Sequence, residues 1–312
     1  MHIISASRRT DIPHYFAAWF SARRKAGYAE YRTVFGGGPA GFFRASLKPE
    51  DVLGYLFWTK YAGPFHAELK ALRAEGVPYV FQYTITGYGR EIESGIPSRE
   101  AVIKDFLKVA KGLPGPDCIQ WRYDPILISA KTYTPAWHRN NFKAIAASLA
   151  GHTRVVNVSF TEPYQKAIAK VPAGHTIAWR RAGKQREAIY KKYPALRAVG
   201  EQEIKLLHEL EAIAKGFGIQ LRVCCNQEYT ASFPAAQCCG AELFVLYGPV
   251  INWQVAALPP GPSRESCRCV QTKDIGMDNT CPGGCFYCYV TTSQALAAEN
   301  FKKHDPAGSR LR

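Results

Sequence analysis

Short apolar runs alternate with amphipathic stretches along most of the chain. The amphipathic stretches repeat their apolar positions every three or four residues, which is typical of a helix with one buried face. The apolar runs are bounded by turn residues and have the length of buried strands. The predicted strands are 2–7, 55–59, 79–86, 118–123, 154–160 and 219–224, with weaker ones at 31–35 and 267–272. The predicted helices lie within 13–27, 65–76, 99–112, 135–151 and 201–218.

The order of these elements predicts the fold class. Strand and helix follow each other in alternation, which implies parallel strands joined by crossover helices. With about eight strands, a closed TIM-like (β/α) barrel is favoured over an open sheet. No glycine-rich phosphate-binding turn follows the first strand, which disfavours a dinucleotide-binding fold. We therefore expect an α/β protein with one barrel domain over residues 1–312, in which residues 257–312 form a connector and a cysteine-rich tail.

Polar residues cluster at the C-terminal ends of the predicted strands, which meet on the active-site face of a (β/α) barrel. Arginine and lysine there can bind an anionic substrate or a cofactor carboxylate, and aspartate can orient the arginines or move protons. The alternative is that these residues form structural ion pairs. The predicted catalytic residues are Arg8, Arg9, Asp11, Lys60, Arg122 and Asp124. Other groups expected at this edge are Thr10, Thr59, Gln82, Tyr83, Thr84, Ser159, Cys224, Cys225, Glu228, Lys273 and Asp274.

Composition and charge narrow the choice of partners. Of the 312 residues, 47% are apolar, which is enough for a large core. No apolar run reaches the length of a membrane span and the N-terminus has no signal-peptide pattern, so we expect a cytoplasmic protein without membrane contact. The net charge of +15 suits a nucleic acid, an anionic metabolite or a solvated surface. Residues 178–197 are the densest in basic groups and predict an exposed helix or a phosphate-contacting surface.

Cysteine usage points to metal or redox chemistry, because nine of the ten cysteines lie after position 220. Cys281, Cys285 and Cys288 lie within TCPGGCFYCYV at residues 280–290. Three thiolates at this spacing can bind three corners of a 4Fe–4S cluster and leave the fourth iron open to a small molecule. Gly283 and Gly284 would let the backbone turn tightly around the cluster. A zinc site is the alternative, although structural zinc takes four ligands.

The other cysteines near the C-terminus comprise a first doublet, Cys224–Cys225, a second doublet, Cys238–Cys239, and then a cysteine-x-cysteine pair, Cys267 and Cys269. One cysteine from each doublet, together with the later pair, would give four ligands for a second cluster. Alternatively, the doublet cysteines are small buried apolar residues, which is also the interpretation for Cys118. The predicted ligands of the second cluster are Cys225, Cys239, Cys267 and Cys269.

The three-cysteine spacing resembles the signature of the radical S-adenosylmethionine enzymes. In that superfamily an aromatic residue commonly precedes the third cysteine and packs near the adenine, and Tyr287 holds this position. The superfamily usually places the loop after the first barrel strand, whereas here the loop is near the C-terminus. The resemblance therefore implies a barrel that is permuted relative to those enzymes. The residues expected to bind the cofactor are Tyr287, Gly283 and Gly284.

The chain as a whole resembles the family known as domain of unknown function 1848. The resemblance spans nearly the whole chain and implies a C-terminal cluster on Cys281, Cys285 and Cys288. It also implies site residues within SRRTD and WRYDP, and it matches the Cys267 and Cys269 pair. The motifs that carry it, in the family's order, are IISASRRTDIP, FWTK, FQYTITGYG, WRYDPILIS, VVNVSF and TKDIGMDNTCPGGCFYCYV.

These observations together predict an iron–sulfur enzyme of the radical S-adenosylmethionine type. It would carry one 4Fe–4S cluster, or two, and a deoxyadenosyl radical would abstract hydrogen from an unknown anionic substrate. A flavodoxin or ferredoxin would supply the electron. The alternatives are a nucleic-acid repair or modification enzyme that uses the basic surface, a non-catalytic iron–sulfur redox protein, and a zinc-stabilised scaffold.

Overall fold

The computed structural model describes residues 1–33, 41–173, 175–180, 184–225, 232–261 and 267–311, with residues 184–186 described by their backbone alone. The strands are β1 His2–Ala6, β2 Tyr28–Tyr31, β3 Phe43–Ser46, β4 Val52–Thr59, β5 Tyr79–Thr84, β6 Ile119–Ile126, β7 Ile128–Ser129, β8 Val155–Phe160, β9 Ile177–Trp179, β10 Arg197–Ala198, β11 Gln220–Val223 and β12 Lys273–Asp274.

Helices follow most strands of the main sheet. The α-helices are α1 Ile12–Tyr15, α2 Ala17–Ala26, α3 His66–Ala74, α4 Arg99–Ala110, α5 Pro135–Leu149, α6 Gln165–Ile168, α7 Lys184–Lys192, α8 Glu201–Gly216, α9 Pro249–Ala256 and α10 Gln294–Lys302. The 3₁₀ segments are Gly63–Phe65, Pro116–Cys118 and Ala241–Tyr247.

Within the described residues, seven strands form one parallel sheet in the order β11-β8-β6-β5-β4-β1-β12. The strands are therefore neighbours in chain order, and the last strand lies beside the first. The α/β class and the parallel arrangement agree with the sequence prediction. The smaller sheets are β10-β9-β7 and the antiparallel pair β2-β3.

The predicted closure into a barrel is not present in the part of the chain that the structure describes, because β11 and β12 do not pair. Beside β11, Val223 N donates to Pro234 O (2.9 Å) instead. On the β12 side, Val270 N donates to Cys239 O (3.0 Å). Irregular segments therefore provide the backbone partners that a further strand would provide in a closed barrel.

Two weaker strand predictions changed. The strand predicted at 31–35 is β2, which ends at Tyr31 and pairs with β3; residues 34–40 lie outside the described residues. Within the predicted strand 267–272, Val270 forms an isolated bridge to Pro260, and the strand itself begins at Lys273. Of residues 257–312, predicted as a connector and a cysteine-rich tail, residues 262–266 and 312 also lie outside the described part.

The two faces of the main sheet differ in chemistry. Side chains alternate between the faces along each strand, so residues two apart share a face. On one face Phe57 packs edge-to-face on Phe20 of α2, with ring centroids 5.5 Å apart. On the other face the Gln120 side-chain oxygen accepts hydrogen bonds from Gln82 (2.6 Å) and Asn157 (2.7 Å). A buried amide layer therefore crosses three adjacent strands, β5, β6 and β8.

Among the helices of the described residues, none combines the length and the apolar character that crossing a membrane requires.

Candidate functional site

The carboxyl ends of the parallel strands border a cavity of about 520 Å³. Because parallel strands all end at the same edge, residues that are far apart in sequence meet there. The six predicted catalytic residues line this cavity, namely Arg8, Arg9, Asp11, Lys60, Arg122 and Asp124. It is also lined by Thr10, Thr59, Thr84, Ser159, Cys224 and Cys225. Gln82, Tyr83, Lys273 and Asp274 do not line it, and Glu228 lies outside the described residues.

The three-cysteine loop, residues 281–288, forms part of the cavity wall. Cys281, Cys285 and Cys288 all border the cavity, although they follow β12 and lie far in sequence from the other strand ends. The backbone of this loop is bonded to the segment before α4: Phe286 N donates to Ile92 O (3.1 Å). The Phe286 side chain is 4% exposed and packs in an apolar cluster with Ile92. The loop is therefore anchored on its outer side while its thiols border the cavity.

A glycine allows this loop to approach its support. Gly284 has φ +71°, in the left-handed region that favours glycine. A Cβ atom at this position would also lie 1.9 Å from Ser94 Oγ. Nearby, Gly95 N donates to Gly283 O (3.1 Å), so the two backbones are in direct contact. Gly283 borders the cavity and Gly284 does not.

Beside the loop lies a buried carboxylate, Glu93. It accepts hydrogen bonds from Lys60 Nζ (2.9 Å), from Thr86 Oγ1 (2.8 Å) and from the Tyr287 hydroxyl. Lys60 Nζ also lies 5.7 Å from the centroid of the Tyr287 ring. Lys60, predicted to bind an anion, is therefore ion-paired within the protein. Tyr287, predicted to lie near a cofactor, borders the cavity with its hydroxyl held by Glu93.

Burial keeps the thiols of Cys281 and Cys285 protonated. It raises the pKa of Cys281 to about 12 and raises the pKa of Cys285 well above its ordinary value. A metal bound by these cysteines would displace the thiol protons, since thiolates are the ligands. As placed, no three metal-ligating side chains of the described segments surround a point where a bare ion would sit. The donor set of three thiols on a short loop at a cavity nevertheless fits a 4Fe–4S cluster that is held at three corners.

A second set of thiols borders the same cavity, and we call it the second thiol group: Cys224, Cys225, Cys238, Cys267 and Cys269. Its members hydrogen-bond to one another, and the sulfurs of Cys224 and Cys225 are 3.6 Å apart. The sequence analysis favoured Cys239 from the second doublet, but the structure brings Cys238 to the cavity. Cys239 is fully buried and does not border the cavity.

Two arginines lie over one indole ring at the cavity. The guanidinium carbons of Arg8 and Arg122 are 5.1 and 4.9 Å from the Trp58 ring centroid. Arg122 pairs with Asp124, which also accepts a hydrogen bond from Ser159 Oγ. Arg8 has no ion pair or side-chain hydrogen bond with any described residue, and its Nε is buried without a partner. The Asp274 carboxylate interacts with Arg8 electrostatically but does not form an ion pair with it, so the guanidinium can take a further anionic partner.

Arg9 and Asp11 have structural partners. Arg9 donates to the carbonyl oxygens of Arg32 (2.6 Å) and Gly276, and its Nε lies 3.4 Å from Asp274 Oδ1. Its guanidinium thus ties β1 to the segment after β12. Asp11 caps α1 by accepting from His14 N (3.1 Å). It also accepts from Thr59 Oγ1 (2.7 Å) and Lys60 N (2.8 Å), and no arginine bonds to it in the described structure.

Sequence reasoning missed three residues that shape this site: Glu93, Trp58 and Cys238. Glu93 lies in a polar loop whose pattern gives no signal, because its partners come from other strands. Trp58 is the last-but-one residue of a predicted apolar strand, and its position next to two arginines depends on the pairing of three strands. Cys238 could have been found only by knowing which member of the doublet borders the cavity, and residues 238–239 lie in an irregular segment whose sequence does not show this.

The family model described as Domain of unknown function (DUF1848) matches residues 3–290. A search of curated proteins found no match. Among solved structures, mannonate dehydratase from Streptococcus suis serotype 2 is similar at 15% sequence identity and a TM-score of 0.30. That similarity covers 63% of this chain and 60% of the other.

Proposed function

This chain belongs to the DUF1848 family, and we propose that it is an iron–sulfur enzyme of the radical S-adenosylmethionine type that acts on an anionic substrate in the cavity. One observation carries the proposal: the thiols of Cys281, Cys285 and Cys288 border the same cavity as Arg8 and Arg122. A three-thiol loop that served only to stabilise the fold would have no need to face a cavity lined with arginine.

The three thiolates would hold the cluster, and its open iron would face the cavity. A 4Fe–4S cluster with S-adenosylmethionine supplies a one-electron route to hydrogen abstraction. A flavodoxin or ferredoxin would serve as the electron donor. Tyr287 and Gly283, which border the cavity beside the thiols, would contact the cofactor.

The remaining side chains bind and orient. Arg8 offers an unpaired guanidinium, which suits a carboxylate or phosphate. Arg122 is oriented by Asp124, and the face of Trp58 supports both guanidinium groups. Glu93 and Lys60 form a buried pair that fixes Tyr287 at the edge of the cavity. The protein would thus position the substrate anion and keep the loop rigid, and the cofactor would provide the reactivity.

The test is formation of 5′-deoxyadenosine. Protein reconstituted without oxygen with iron and sulfide is reduced, mixed with S-adenosylmethionine and analysed by chromatography. We expect the product from the wild type and none from Cys285→Ala. Cys118→Ala is the matched control, because Cys118 is a buried free cysteine away from the cavity and its substitution should leave the product unchanged. Absence of 5′-deoxyadenosine from fully loaded and reduced wild type would refute the proposal.

A further inference from the structure

The five cysteines of the second thiol group form a closed ring of side-chain hydrogen bonds. Cys225 bonds to Cys224 and to Cys267. Cys238 bonds to Cys224 and to Cys269, and Cys269 bonds in turn to Cys267. These residues come from three segments that are separate in sequence. A packed apolar core would not need to bring five thiols from three segments into mutual contact at the edge of a cavity.

The segments that carry these thiols are fixed by specific contacts. The carbonyl oxygen of Cys238 accepts a hydrogen bond from the buried Gln82 amide (2.8 Å), so the buried amide layer of the main sheet fixes the backbone of this residue. Gln237 Nε2 donates to Arg268 O (2.8 Å), which joins the second doublet to the cysteine-x-cysteine pair. The ring is therefore a built arrangement that does not depend on one mobile loop.

A second, independent observation concerns charge. Arg8 faces this ring and interacts electrostatically with Cys269, Cys238 and the Asp274 carboxylate, yet no described residue forms an ion pair with its guanidinium. A cation that is largely enclosed and unpaired is costly beside neutral thiols. Thiols that bind a metal lose their protons and become the negative charges that this cation lacks.

We propose that the second thiol group is a metal centre, separate from the Cys281–Cys288 loop, with Arg8 as its counter-cation. Its ligands are Cys238, Cys267, Cys269 and one cysteine of the Cys224–Cys225 doublet. A four-thiolate set selects an iron–sulfur cluster, or a single zinc ion if the thiols move closer together, because as placed in the described structure they surround no point that suits a bare ion. The proposal does not depend on the enzymatic function proposed above, since it concerns other metal ligands. If Arg8 neutralises these thiolates, Arg122 is the arginine left to bind the substrate anion.

The experiment uses the chain of residues 1–312 with the three cysteines of the three-cysteine loop, residues 281–288, replaced so that this loop cannot bind metal. In Cys281→Ala/Cys285→Ala/Cys288→Ala protein purified without oxygen, iron, acid-labile sulfide and zinc are measured per chain. We expect metal to remain, with iron and sulfide indicating a cluster and zinc without sulfide indicating a single ion. Adding Cys238→Ser should remove that metal, whereas adding Cys239→Ser should leave it, and these neighbouring substitutions form a matched pair.

Several outcomes would overturn the proposal: a folded triple variant without metal, equal metal loss from the Cys238→Ser and Cys239→Ser variants, or a disulfide among the five cysteines by mass spectrometry of freshly isolated protein. If the triple variant does not fold, the same two serine substitutions are compared in the otherwise wild-type chain. Only Cys238→Ser should then lower the metal content. If replacing the three cysteines of the three-cysteine loop removes all metal from folded protein, this inference is contradicted and the enzymatic proposal still stands.

Discussion

The ammonium of Lys60 lies 2.9 Å from the carboxylate of Glu93, and the two side chains are 13% and 4% exposed. Lys60 follows β4, and Glu93 lies in the segment that forms an antiparallel bridge with Cys285. The pair therefore joins the edge of the main sheet to the loop that carries three thiols. The Tyr287 hydroxyl bonds to the same carboxylate and adds a second link to that loop.

Removing the charge of Glu93 should destabilise the protein markedly. In Glu93→Gln the Lys60 ammonium loses its anionic partner in a buried setting, and breaking a buried pair in this way typically costs about 3–5 kcal/mol. We expect the free energy of unfolding to fall by about 3 kcal/mol in chemical denaturation of the metal-free protein.

The control for this substitution is Glu299→Gln. Glu299 pairs with Lys303 one helical turn away, at 2.6 Å, but both side chains are mostly exposed (57% and 71%). Exposed pairs of this kind contribute little to stability because water screens the two charges. Equal losses from Glu93→Gln and Glu299→Gln would show that the Lys60–Glu93 pair does not stabilise the fold as argued here.

The adjacent arginines Arg8 and Arg9 should respond in opposite ways to substitution by methionine. Arg8 forms no ion pair with a described residue and feels Asp274 only at longer range, so Arg8→Met removes a mostly unpaired cation and should not lower the unfolding free energy of the metal-free protein. It should weaken metal binding by the second thiol group about 10- to 100-fold, as loss of a residue beside the ligands usually does. Competition with a chelator measures this affinity.

Arg9→Met should instead unfold the protein more easily. Arg9 bonds to the carbonyl oxygens of Arg32 and Gly276 and to the carboxylate of Asp274, and these groups would lose a charged donor. We expect a loss of about 3 kcal/mol in unfolding free energy. A larger loss of stability from Arg8→Met than from Arg9→Met would reverse the assignment of the two side chains.

The core strands could be predicted from the sequence because they are buried apolar runs bounded by turns. The prediction 154–160 became Val155–Phe160, and the prediction 219–224 became Gln220–Val223. Their parallel order followed from the alternation with helices. Closure of the sheet could not be predicted in this way, since it depends on what pairs with β11. There the backbone partner is the irregular segment at Pro234, whose pattern does not indicate a strand.

The site could be predicted to the level of the strand ends, but its partners could not. Local sequence brings Arg122 and Asp124 to one strand, and they pair as neighbours two residues apart would. In contrast, Arg8 and Arg9 are adjacent and chemically identical, yet within the described structure only Arg9 forms ion pairs and side-chain hydrogen bonds. That difference arises because the backbone directs the two side chains to different surroundings. Predicting it would require knowing how the strands of the sheet pair.

Acid should destabilise the fold partly through His138. Its Nε2 donates to Leu127 O (2.9 Å), so Nδ1 accepts from the Tyr123 hydroxyl (2.8 Å) and the ring is neutral. Burial lowers the pKa of His138 from 6.5 to about 4. The unfolded chain therefore binds a proton that the folded chain does not between these values, and stability falls as pH decreases from 6.5 to 4.

The test compares the wild type with His138→Gln in urea denaturation at several pH values. The substitution should cost stability at pH 7, where the neutral ring makes two hydrogen bonds. The cost should shrink towards pH 4, by up to about 3 kcal/mol. Only the wild type has a histidine that takes up a proton when the chain unfolds in this pH range, so only the wild type loses stability through it. A difference between the two proteins that stays constant from pH 7 to pH 4 would argue against a lowered pKa in the fold.

The last prediction concerns Gly284, with Gly76 as a control that separates the effect of backbone strain from the effect of steric contact. Gly284 (φ +71°) and Gly76 (φ +68°) have nearly the same left-handed conformation. A Cβ on Gly76 has no atom within 4 Å, so Gly76→Ala should cost only the conformational strain of about 1 kcal/mol. A Cβ on Gly284 would overlap Ser94 Oγ, so Gly284→Ala must also displace that support of the loop.

We expect Gly284→Ala to lower the unfolding free energy by about 1 kcal/mol or more beyond the loss from Gly76→Ala, which is the size typical of overpacking. We also expect Gly284→Ala protein to bind less iron after reconstitution. Gly76→Ala should keep full iron content. Equal effects of the two substitutions on stability and iron would mean that the contact between Gly284 and Ser94 does not position the thiols.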